Sequence, residues 1–159
     1  MYENILLLAL ALTFSAVPAI ADEPSERLTP QEIVALPATD AGPGTSGVTD
    51  MRTTVLSGDP SRAGLYTIQI VIPPHTTIKA HQHRDGRVAT VISGMWFLGY
   101  GAVRDEKSLK ALPAGSFYTE PAGAAHFAGT GELPATVQIT GFGPSDTVYV
   151  NTGDDSGRP

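Results

Sequence analysis

The residues best suited to chemistry in this chain are His81 and His83, one residue apart, and His126, far along the sequence. Histidines one residue apart on a strand share a face, because strand side chains alternate with period two. Such a pair can bind one metal ion together. A third imidazole from a distant strand completes a three-nitrogen face and leaves coordination positions open to water, oxygen or a chelating substrate, as a catalytic metal site requires. The sequence contains no cysteine, so it offers no thiolate ligand, thiol nucleophile or disulfide. It contains no serine-histidine-aspartate order with a nucleophile elbow either. Any catalysis would be assisted by a metal or a carboxylate.

Weaker candidates surround the histidines. Arg87 could contact an anionic substrate, form an ion pair with Asp85 or Glu120, or turn into solvent. Glu120 could act as a general base, pair with Arg87 or be a surface charge, the surface charge being the default. Tyr118 and Gln138 are candidates for lining a substrate pocket, although strand aromatics are more often core than ligand cradle. His75, after Pro73-Pro74, reads as a solvated histidine on a turn. A formal net charge of −6 without any cluster of Lys and Arg argues against nucleic acid and anionic membrane as partners. A small molecule is the expected ligand.

The elements that must position these side chains are short. In 159 residues, 17 Gly and 13 Pro with 42% hydrophobic residues fit one β-rich domain with many turns. β-Branched and aromatic runs predict strands near residues 51–56, 65–72, 78–83, 87–93, 95–100, 116–118, 125–128, 136–141 and 147–151. Turns are expected between them, at Ser93-Gly94 and over 129–134 among others. Residues 105–112 fit a helical turn or an outer strand. Thr29-Pro30-Gln31-Glu32 has the form of a capping box, predicting a short helix to about Leu36 whose Ile33, Val34 and Leu36 could pack on the outside of the β-domain. The Gly/Pro/Thr/Ser run over 39–47 reads as a linker. The apolar run Ile5 to Val17, followed by Pro18 and Ala19-Ile20-Ala21, reads as an export signal cleaved after Ala21. It departs from the usual pattern in carrying Glu3 and no Lys or Arg before the run. The expected organisation is thus a signal over 1–21, an arm over 22–50, a β-domain over 51–151 and a disordered tail over 152–159, in a periplasmic or secreted protein.

With spacing included, the chain reads His81-x-His83-x3-Arg87-x6-Gly94, then Gly115-x5-Pro121-x-Gly123-x2-His126-x3-Thr130. This resembles the two motifs of the cupin superfamily, Gly-x5-His-x-His-x3-Glu-x6-Gly and Gly-x5-Pro-x-Gly-x2-His-x3-Asn, over roughly residues 65–150. The resemblance implies an all-β, jelly-roll β-barrel with a metal inside its mouth. By position, the ligands would be His81, His83 and His126. It further implies one divalent ion, iron(II) by family likeness, with copper, zinc, manganese or nickel open because a histidine-only site favours copper or zinc by affinity. The activity implied is that of a dioxygenase or, next, a lyase or isomerase, acting as a homodimer on a small anionic molecule. A non-catalytic exported barrel that binds a metal or small ligand is the alternative, since this fold hosts many functions.

Three positions depart from the motifs: His75 stands at the opening glycine, Thr130 at the terminal asparagine, and Arg87 where many members have a metal-binding glutamate. A guanidinium cannot ligate and stays protonated, so an inward Arg87 opposes a dication by a few kcal/mol at ~5 Å and an effective dielectric near 20. An anionic substrate between the two would remove that cost and be held bidentately.

Overall fold

The structure, a computed structural model, describes residues 25–40, 45–48 and 50–154. The export signal expected over 1–21 lies outside the described residues, as do 41–44 of the linker and 155–159 of the tail. Eight strands form one antiparallel system: β1 (Arg52–Ser57), β2 (Gly64–Ile72), β3 (Thr77–Gln82), β4 (Arg87–Tyr100), β5 (Lys110–Pro113), β6 (Phe117–Glu120), β7 (His126–Gly143) and β8 (Val148–Tyr149). The undecided stretch 105–112 holds both a 3-10 turn, Glu106–Ser108, and the outer strand β5. Among the described residues no helix is long and apolar enough to cross a membrane.

Two long strands organise the jelly roll. The first part of β7, from His126 to Thr130, lies between β3 and the end of β4, while its second part, from Ala135 to Gly143, lies between β2 and the start of β4. The β4 and β7 strands therefore cross from one face of the barrel to the other. This corrects the expectation of separate strands broken at Ser93-Gly94 and 129–134: both chains bend there and stay paired. Register shifts at Val91/Ser93 and Gly94/Trp96 supply the bend. Gly94 makes it possible, because its φ of +76° disfavours any side chain and a Cβ there would run into the Pro134 carbonyl.

The core follows from alternation. In β2, Tyr66, Ile68, Ile70 and Ile72 are buried, and they meet Val137 and Ile139 of β7, Ala89 and Val91 of β4, and Trp96, Leu98 and Leu112. Outside the barrel, helix α1 (Pro30–Ala35) carries the expected capping box, with Thr29 and Glu32 bonded reciprocally. Its Val34 side chain is exposed, however, and the arm is held by Arg52, which donates to the Val34 carbonyl at 3.0 Å, and by a backbone pairing of Thr39 with Thr53. The linker is more than a tether. Thr45 and Ser46 are buried, their carbonyls taken by the hydroxyls of Thr147 and Tyr149. At the other end, Thr152–Asp154 form a 3-10 turn, so the tail expected to be disordered from 152 is ordered that far.

Candidate metal centre

Register brings the histidines together. His81 in β3 stands directly opposite His126 in β7. His83 follows just past the end of β3, where its carbonyl accepts from Gly123 N at 2.8 Å. Gly123, with φ +70°, turns the chain so that the second motif folds back onto the first. All three imidazoles are buried, at 3%, 1% and 1% exposure, and one nitrogen from each lies within 4.8 Å of the others. Their ring centroids are 4.4 to 5.2 Å apart.

The second nitrogen of each ring explains the aim of the first. His81 Nδ1 is 2.7 Å from the Lys79 carbonyl, His126 Nδ1 is 3.1 Å from the Ala124 carbonyl, and His83 Nδ1 meets the Asp146 carbonyl. A carbonyl only accepts, so each Nδ1 carries a proton, and Nε2 is the atom through which each neutral ring would ligate. This is the tautomer and outer shell that metal-binding histidines use. His126 Nε2 is buried without a hydrogen-bond partner among the described residues. A buried polar atom left unsatisfied costs ~1–3 kcal/mol, which ligation of a metal ion would recover. The donor set thus fits a divalent metal ion.

Protonation supports the same chemistry. Burial, reinforced by His126, pushes His81 down to about 4, and burial with the Arg87 guanidinium pushes His83 down to about 2. Both rings are neutral at pH 7, ready to ligate without losing a proton.

Arg87 points inward. It sits opposite Glu120 of β6 in the β4–β6 register, and its Nε donates to Glu120 Oε2 at 2.6 Å, with Nη2 also paired to that oxygen. Nη2 is 2.6 Å from His83 Nε2 as well. Glu120 is 5% exposed, so its default reading as a surface charge is corrected: β6 buries Tyr118 and Glu120 and exposes Phe117 and Thr119. Glu120 Oε1 is 3.5 Å from His126 Nε2, and Oε2 is 3.9 Å from His83 Nε2. Burial alone would raise the Glu120 carboxyl, but Arg87 and the two histidines outweigh it and hold it down to about 2. For Arg87, burial opposes the charge while Glu120 more than restores it, leaving its pKa above the ordinary value.

Tyr118 reaches the site and Gln138 does not. Tyr118, Glu120, Arg87, His81 and His126 all line a cavity of about 30 Å³ with an apolar floor that includes Ile70, Ile78 and Val137. That volume holds roughly two waters. Burial in this floor pushes the Tyr118 phenol well above its usual range, with Glu120 adding to the shift. Gln138 falls between inward-facing Val137 and Ile139 and instead lines an outer groove with Thr67, Ile33 and Glu26. His75 is on a turn at φ 58°, exposed and 3.6 Å from Glu132. Met51 and Ser46 also line the cavity, Ser46 from a run that composition marked only as a linker. A second buried carboxylate, Asp85, takes hydroxyl bonds from Tyr66 at 2.7 Å and Ser145 at 2.8 Å and props the turn between β3 and β4.

An antiparallel jelly roll with three imidazoles gathered inside its mouth defines the class of protein. The chain has the cupin fold, with a short helix before the barrel. Among solved structures it is similar to the polyketide cyclase RemF from Streptomyces resistomycificus, at 15% identity over 82% of this chain and 89% of that one with a TM-score of 0.66. It is also similar to an RmlC-like cupin from Shewanella frigidimarina, at 18% identity over 76% and 92% with a TM-score of 0.54. Against a structure from the DMSP lyases RdDddP and RnDddQII the identity is 20% and the TM-score 0.50, with 66% of this chain covered and the chain spanning 53%, about half, of that protein. No family model and no curated protein matches the sequence.

Proposed function

We propose that this chain is a mononuclear metalloenzyme in which His81, His83 and His126 hold one divalent ion and a small anionic organic molecule is the substrate. The observation that carries the reading is the shared aim of the three rings: each Nδ1 faces a backbone carbonyl, and one ring nitrogen from each lies within 4.8 Å of the others. The ion, when bound, supplies Lewis-acid or redox chemistry at positions the histidines leave open. The preference for an anion follows from charge. Arg87 and Glu120 cancel and His81 and His83 are neutral, so a dication brings uncompensated positive charge into a buried site. Arg87 contacts such a substrate only by exchanging Glu120 for it. Glu120, held near 2 and ion-paired, is a weak proton acceptor, which argues against a general-base role. Tyr118, its phenol kept protonated, is placed to donate a hydrogen bond into the cavity.

Dioxygenase-like oxidation and a lyase or isomerase reaction are the two classes we assign; the cyclase and lyase named among the similar structures support the second. The test is turnover of small organic acids by metal-loaded protein with oxygen uptake followed in parallel. Oxygen consumed in step with substrate identifies the oxidation, and product without oxygen uptake identifies the lyase or isomerase. We place the protein in the periplasm or outside the cell on the strength of the apolar run Ile5–Val17 and the Ala19-Ile20-Ala21 pattern, and as a homodimer on family likeness. A second reading, a non-catalytic exported barrel that sequesters a metal, is favoured by the size of the cavity, about 30 Å³, which accommodates little besides the ion and its waters. Metal retention with no turnover of any acid would select it.

A further inference from the structure

We propose that Glu120 is itself a ligand of the metal centre, the acidic donor having moved from the β4 position occupied by Arg87 to the facing position on β6. The inference rests on the three-histidine reading above. Residues 87 and 120 are cross-strand neighbours, so a side chain at either reaches the same space beside the imidazoles. In the motif the acid stands at 87; here the base stands there and the acid stands opposite. Glu120 is buried, and its two oxygens lie 3.5 Å from His126 Nε2 and 3.9 Å from His83 Nε2. Two donors on one ion, each ~2.0–2.2 Å from it, are separated by roughly 3–3.5 Å, so Oε1 is already at a ligand's spacing from His126, while Oε2 is held by Arg87. His126 Nε2, buried without a hydrogen-bond partner among the described residues, faces Glu120 Oε1 across 3.5 Å. A cation between these two atoms satisfies both. Arg87 then becomes a positioning residue: its Nε fixes Oε2 at 2.6 Å, and its Nη2 occupies the His83 lone pair until a metal takes it.

Cobalt(II) is the probe, because its visible absorption reports donor type and coordination number. Apo protein is titrated with cobalt, and affinity is read by competition with a chelator. Glu120→Gln alone leaves Arg87 buried without its counter-ion, so the informative comparison is Arg87→Gln against the double variant Arg87→Gln/Glu120→Gln, each checked for native fold by circular dichroism. If Glu120 ligates, Arg87→Gln binds cobalt at least as tightly as wild type, whereas the double variant loses tenfold or more and its absorption bands change. Equal affinity and an unchanged spectrum in the two variants would overturn the assignment while leaving the histidine site standing. Wild-type protein that takes up no cobalt overturns the metal-centre reading and the ligand assignment with it.

Discussion

Arg87 and Glu120 face each other across β4 and β6 and form an ion pair buried in the same cavity wall as His81 and His126. The Arg87 residue that departs from the motif is therefore compensated inside the barrel, one strand away. A buried pair adds little net stability, because desolvation of both ions opposes their attraction. Its loss on one side is a different matter.

Replacing Glu120 by Ala strands a buried guanidinium, and denaturant unfolding should show a loss of about 3–5 kcal/mol. Replacing both residues together, Arg87→Met with Glu120→Leu, should recover most of that loss. Equal destabilisation by the single and double replacements would contradict the pairing.

Protein stripped of metal should be acid-labile below about pH 6.5. His81 and His83 have folded pKa values of about 4 and about 2, under the ordinary 6.5, and Glu120 has about 2 against 4.5. Between those limits the unfolded chain binds more protons than the folded one, so stability is full above pH 6.5 and is lost as pH falls. His81 alone contributes on the order of 3 kcal/mol over its window. Urea midpoints measured from pH 7.5 down to 4 should fall steadily, and a flat profile would mean that the rings are solvated.

Gly94→Ala should cost about 2 kcal/mol or more, since it combines a φ of +76° with a clash against the Pro134 carbonyl. Gly47→Ala is the control: φ is +71° there too, but a Cβ would meet nothing within 4 Å. It should cost no more than about 1 kcal/mol. Thermal unfolding of the two variants separates strain from collision.

Gln138→Ala should leave metal content and ligand binding unchanged and shift stability by no more than ~0.5 kcal/mol, because the side chain lies in the outer groove beneath the arm. A loss of metal or ligand would mean that this position communicates with the site.

The histidines and the barrel were legible in the sequence because their signals are local. A one-residue gap on a strand and fixed spacings around Gly94, Gly115 and Gly123 say which side chains share a face. Gln138 was not legible for a reason of phase. Counting by twos from His126 puts residue 138 on the inner face, yet β7 loses phase through 130–134, and beyond it the odd-numbered Val137 and Ile139 point inward. Glu120 was hidden by its neighbours: Phe117 and Tyr118 are both apolar, so alternation does not say which of them, and hence which of Thr119 and Glu120, faces inside. The cavity-lining Ser46 is beyond any pattern, since its carbonyl is secured by Tyr149, distant in sequence.

The chemistry of this site depends on the three histidines binding one metal ion. Elemental analysis of the untagged protein, compared with a His81→Ala/His126→Ala double variant, tests this most directly. Near one equivalent of a divalent transition metal, absent from a folded variant, is the predicted result. A wild-type protein that holds no metal even after reconstitution, or a variant that keeps its full complement, would contradict it.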